Sequence, residues 1–137
     1  MEISDYENIT PRALKSRLDA GERPVLLDVR EPWEFELARI EGSVPIPMSQ
    51  LEGRFTELDP DAETVVICHH GNRSSYVAMA LQRAGFESVL NLEGGLDAYS
   101  SVDESVPRYS SLSVPEDLLD PSVEARGEAL RFCGTFC

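Results

Sequence analysis

Thr64-Val65-Val66-Ile67-Cys68-His69-His70-Gly71-Asn72-Arg73-Ser74 changes character at its fifth residue. Thr64 to Ile67 form a β-branched run, the pattern of a short parallel strand buried on both faces. Beyond Ser74, Val77, Ala80, Leu81 and Ala84 recur at i, i+3, i+4 and i+7, which predicts a core-facing helix. Gly85 supplies the residue that ends it. Cys68 therefore stands at a strand's carboxyl end, in a tight polar loop that opens onto a helix amino terminus. The unpaired N–H groups and the dipole there favour an anion, such as a thiolate or an anionic group carried on its sulfur. The competing reading is a buried core thiol, since free cysteine is often buried. The flanking histidines, glycine and arginine favour the reactive one.

Working outward, Thr10-Pro11 reads as an N-cap followed by proline at the first helical position, with Ala13, Leu14 and Leu18 facing inward. Gly21 ends that helix. Val25-Leu26-Leu27 is a core strand, Pro32 restarts a helix through about Leu37, and Val44 to Ile46 is a short strand. Met48 to Phe55 reads as a weaker helix and Val89 to Leu92 as a last strand. Strands alternating with helices predict an α/β fold with a parallel sheet covered on both faces. Ligands of such sheets collect at the carboxyl ends of strands, where Asp28 and Cys68 both fall. No internal repeat is evident. After Tyr109 the character changes: Ser110 to Pro115 looks like a linker, and Asp120-Pro121 could cap one short helix to about Phe132, weakened by Gly127. The division is a domain over 1–109 and a tail over 110–137 ending in Cys133 and Cys137.

The chain has 137 residues, 42% hydrophobic and 27% charged, ordinary values for one soluble globular domain. No apolar run approaches the roughly 20 residues that span a bilayer, and the acidic start is no signal peptide, so a cytoplasmic location is expected. Three cysteines without a secretory context do not make a disulfide framework. The net charge is -13, and Lys15 is the only lysine. Such acidity, with arginine in place of lysine, speaks first to a solvated surface, as in an organism with a salty cytoplasm or a GC-rich genome, and second to basic partners. It excludes nucleic acid as a general partner, because phosphate neutralisation needs a basic face.

Four motifs carry a family resemblance. Cys68-x-x-Gly71-x-Arg73-Ser74 resembles the active-site loop of single-domain rhodaneses, the thiosulfate and persulfide sulfurtransferases. Leu27-Asp28-Val29-Arg30-Glu31 with Trp33-Glu34-Phe35 resembles their early aspartate-arginine segment, and Ile40 to Pro47 the segment after it. Leu92-Glu93-Gly94-Gly95-Leu96-Asp97-Ala98-Tyr99 resembles the double-glycine motif that closes the domain. The matches run in the family's order over roughly residues 5 to 109. Two positions depart: Ala38-Arg39 replaces the common Gly-His, and Tyr99 stands where tryptophan is usual.

The resemblance implies an open parallel sheet of about five strands with helices on both faces. It also implies a sulfur-transfer cycle through a Cys68 persulfide, with no cofactor. Cys68 would be the nucleophile, with backbone N–H groups of His70, Gly71, Asn72, Arg73 and Ser74 around its terminal sulfur. His69 and His70 would shape the loop. Asp28 and Arg30 would form a supporting ion pair, and the Arg73 side chain would bind an oxyanion group of the donor. A metal is not expected, because adjacent His69 and His70 side chains should diverge and their spacing to the tail cysteines fits no zinc pattern.

Loop length bears on the chemistry. Cysteine-based phosphatases, including a branch of this fold, use a longer Cys-x5-Arg cradle, whereas Cys68 and Arg73 enclose four residues. By the resemblance the shorter loop goes with sulfur transfer, leaving phosphatase or arsenate reductase activity as the weaker alternative. A different reading is a sulfur-delivery or interaction module serving a partner such as a small sulfur carrier. Val102 to Tyr109 resembles the end of rhodanese modules fused to adenylyltransferases that serve such carriers. The expected partners are a small anionic sulfur donor, thiosulfate or a persulfide, and a protein sulfur acceptor. Cys133 and Cys137 could act as a sulfur relay by swinging to Cys68.

Overall fold

The computed structural model describes residues 6–109. Five parallel strands form one sheet in the order β1-β5-β4-β2-β3. They are β1 (Glu7–Ile9), β2 (Val25–Asp28), β3 (Val44–Pro45), β4 (Thr64–Ile67) and β5 (Val89–Leu92). The helices are α1 (Pro11–Asp19), α2 (Pro32–Leu37), α3 (Leu51–Arg54), α4 (Asn72–Arg83) and α5 (Gly95–Tyr99). Among the described residues no helix is long and apolar enough to cross a membrane.

Strand alternation assigns the two faces of the sheet. Val65 and Ile67 of β4 pack with Leu14 of α1 and with Leu96 and Tyr99 of α5. Val66 and Cys68 pack with Leu51 of α3 and with Val77, Ala78 and Leu81 of α4. All four residues of β4 are buried, which is why their run is continuous rather than alternating. Cys68 thus continues the strand's inward pattern on the α4 face. The in-register pairing of Asp28 with Ile67 sets the ends of β2 and β4 side by side.

Local chemistry explains the helix starts. The Ala13 N–H donates to Thr10 Oγ1 at 3.1 Å, with Pro11 at the first helical position. Pro32 opens α2, and Glu34 reaches back so that the Glu31 N–H donates to its Oε1 at 2.9 Å. The expected helix over Met48 to Phe55 is broken: 3₁₀ turns at Met48–Gln50 and Phe55–Glu57 flank the four residues of α3. Gly53 inside that segment lowers its helix propensity. The first strand carried no sequence signal, being a three-residue edge in which only Ile9 is buried. The expected tail helix, Cys133 and Cys137 lie outside the described residues.

Candidate active site around Cys68

The loop after β4 is held from below by the start of α5. The Leu96 N–H donates to the Cys68 carbonyl at 2.8 Å and the Asp97 N–H to the His69 carbonyl at 3.0 Å. That approach requires the two glycines. Gly94 and Gly95 have φ of +72° and +66°, and a Cβ on Gly95 would lie 2.3 Å from the His69 carbonyl oxygen. Gly71, at φ +97°, turns the loop into α4. Its N–H donates to Cys68 Sγ at 2.9 Å. The sulfur therefore faces a preorganised donor, which stabilises negative charge developing there. Cys68 itself is fully buried.

His69 and His70 do not diverge as expected; their rings stack at 4.0 Å and 28°. The cause is Tyr109, whose ring stacks on the other face of His69 at 4.3 Å and 18° and whose carbonyl lies 3.0 Å from His69 Nε2. Burial, aided by the neighbouring His70, lowers the His69 pKa, so the ring is neutral and Nε2 carries the proton donated to that carbonyl. His70 is partly exposed, with Nε2 3.9 Å from Asp97 Oδ2. His69, His70 and Asp97 are close enough together to consider as metal ligands. The set fits poorly, since near-parallel imidazoles do not converge on one ion and His69 Nε2 is held by Tyr109.

Behind the loop runs a buried chain of alternating charge. Arg30 grips Asp28 twice, Nε to Oδ1 at 2.8 Å and Nη2 to Oδ2 at 2.6 Å. Arg30 Nη1 donates to the Tyr109 hydroxyl at 2.9 Å, and that hydroxyl donates to Glu34 Oε2 at 2.9 Å. Glu34 in turn takes Arg73 Nη1 and Nη2 on its two oxygens, at 3.0 and 3.1 Å. Burial raises the Glu34 pKa, but the hydrogen bonds and charge of Arg73 outweigh it and the net direction is down. Burial likewise raises the Tyr109 pKa and keeps its hydroxyl a donor.

Arg73 has both its terminal nitrogens on Glu34 in a buried pair, so its guanidinium ties the first turn of α4 to α2. Ser74 also serves as an anchor: its hydroxyl donates to Asn91 Oδ1 of β5, and Asn91 Nδ2 donates to Asn8 Oδ1 at 3.1 Å. Asn72 opens α4. Glu34 and Tyr109 were not singled out from sequence. Their one available signal was position, in the Trp33-Glu34-Phe35 segment and at the end of the resembling segment Val102 to Tyr109.

Comparison with known proteins bears on the family and the fold. The sequence model of the rhodanese-like domain matches residues 10–102. The chain is 37% identical to "Putative sulfur carrier protein YrkF" of Bacillus subtilis over 74% of its own length and 55% of that protein's. It is 33% identical to the thiosulfate sulfurtransferase GlpE of Ectopseudomonas mendocina, over 71% of this chain and 87% of that one. The rhodanese-related protein of Thermoplasma volcanium superposes with a TM-score of 0.67 at 32% identity, covering 76% of this chain and 100% of that one. The chain spans only 24% to 55% of the first curated relatives it matches.

Proposed function

The chain belongs to the rhodanese-like domain family, and from that premise we propose that it is a sulfurtransferase working through a Cys68 persulfide. The Cys68 thiolate attacks the outer sulfur of thiosulfate. The sulfur–sulfur bond breaks, sulfite leaves with the electron pair, and Cys68 carries a persulfide anion. An acceptor thiolate or cyanide then attacks the terminal sulfur, and the electron pair returns to Cys68 Sγ. A persulfide can replace thiosulfate as donor, with a thiolate leaving in place of sulfite.

The observation that carries this reading is the Gly71 N–H aimed at Cys68 Sγ from 2.9 Å, at the end of β4. It supports a negative sulfur both as attacking group and as leaving group. Two half-reactions through one covalent intermediate require ping-pong kinetics. Initial rates with thiosulfate and cyanide varied together should give parallel double-reciprocal lines; intersecting lines would point to a ternary complex and contradict the scheme.

A sulfur-delivery module is the second reading, favoured by the relative named as a sulfur carrier. It uses the same persulfide and differs in taking a protein acceptor, so rapid transfer to small thiols counts against it. Phosphatase chemistry is weaker still. A phosphate cradle needs its arginine turned to the anion, and here Arg73 is engaged by Glu34.

A further inference from the structure

Tyr109 reaches both ends of the Cys68 loop. At the beginning, its ring stacks on His69 and its carbonyl takes the His69 Nε2 proton. At the far end, its hydroxyl donates to Glu34, whose two oxygens hold Arg73. The same hydroxyl accepts from Arg30, and Trp33 meets the ring edge-on at 6.2 Å and 84°. Ring, carbonyl and hydroxyl are thus each engaged, and the side chain is buried at 8% exposure. Tyr109 lies beyond the residues matched to the family, 10–102. It comes 40 residues after His69 and 75 after Glu34, so its contacts join separate parts of the chain.

We propose that Tyr109 is a positioning residue that fixes the Cys68 loop at both ends, through His69 and through the Glu34–Arg73 pair, and holds it closed over the sulfur. A tyrosine that only filled the core would need some partner for its hydroxyl. It would not need partners that lead in two directions to the residues flanking one cysteine. The effect on turnover rests on the sulfurtransferase reading; the effect on loop closure does not.

The test uses the full chain with Tyr109→Phe, which keeps the ring stack and the carbonyl but removes both hydroxyl bonds, and Tyr109→Leu, which removes the stack as well. Alkylation of Cys68 by iodoacetamide, followed on its own peptide by mass spectrometry, reads closure without any sulfur chemistry. Alkylation should speed up about three- to tenfold in Tyr109→Phe and more in Tyr109→Leu, as the loop opens more often. With thiosulfate and cyanide, kcat should fall about tenfold in Tyr109→Phe while the thiosulfate KM moves less than about twofold, because donors placed for the transition state are misaligned. In an Arg73→Lys background, Tyr109→Phe should cost less than about twofold further, since its route to the loop runs through Glu34 to Arg73. A folded Tyr109→Phe protein alkylated at the wild-type rate overturns the proposal, and so does an undiminished kcat loss in the Arg73→Lys background. If the wild-type chain takes no sulfur from thiosulfate, the functional reading fails, and the alkylation rates still decide the role of Tyr109.

Discussion

Cys68 and Arg73 stand five positions apart, and the structure gives them different partners. Cys68 presents its sulfur to an N–H donor, whereas Arg73 turns away to a buried carboxylate. Cys68→Ser should abolish sulfur transfer with the thermal midpoint nearly unchanged, because the hydroxyl fits the thiol's space but is a far weaker nucleophile. Residual cyanide-dependent turnover above background would assign the chemistry elsewhere. Arg73→Ala should destabilise the fold by about 3–5 kcal/mol, the cost of leaving Glu34 as an uncompensated buried charge. The pH dependence follows with a definite sign. In the wild type the depressed Glu34 pKa contributes stability that is fully present above the ordinary value of 4.5 and is lost as pH falls through the folded value. Without Arg73, burial dominates and raises that pKa, so protonation relieves the variant. The stability gap between the two proteins should therefore narrow between pH 7 and pH 4.5 in urea titrations; a constant gap would mean that Glu34 does not titrate with the pair. Cys68, Gly71 and the Asp28–Arg30 pair were legible in the sequence because motif and local geometry coincide there. The direction of the Arg73 side chain was not, since its partner lies 39 residues earlier on another helix.

At the scale of elements, β4, its loop and α4 form one unit, and α5 backs it. Gly95→Ala should cost roughly 2–5 kcal/mol, combining left-handed strain with a Cβ driven into the His69 carbonyl. Gly53→Ala meets nothing within 4 Å and should stabilise α3 by about 0.5–1 kcal/mol. Denaturant midpoints of the two variants moving in the same direction would contradict this contrast. Inserting one glycine between Gly71 and Asn72 should slow sulfur transfer by displacing the Gly71 N–H from Sγ; wild-type turnover would show that loop length does not matter. Strands β2 and β4 and helix α1 were readable because burial on both faces and a proline start each leave a local mark. The stripe expected in α4 holds only at Val77 and Leu81: Ala80 and Ala84 are exposed and Ala78 is buried instead, and in α1 Leu14 is buried while Ala13 is exposed. Strand β1 left none, because three residues with one buried cannot show a period. The double glycine was recognised as a motif. Its physical reason, the contact of α5 with the loop carbonyls, needed coordinates.

Across the whole molecule, the parallel sheet brings the ends of β2 and β4 together, and the buried Asp28–Arg30–Tyr109–Glu34–Arg73 chain ties α2, α4 and the segment ending at Tyr109 around them. The formal charges along that chain sum to zero, two carboxylates against two guanidiniums, which is how four ionised groups remain inside. The net charge of -13 belongs to the sequence as a whole, while the four charges of this buried chain cancel among themselves. The proposed function puts the reaction on the Cys68 sulfur, and intact-mass spectrometry tests that most directly. After incubation with thiosulfate and removal of excess reagent, the protein should gain the mass of one sulfur, located by peptide mapping on Cys68 and not on Cys133 or Cys137, and lost on adding cyanide. A chain whose Cys68 stays unmodified while a control thiosulfate sulfurtransferase is loaded under the same conditions would contradict the account.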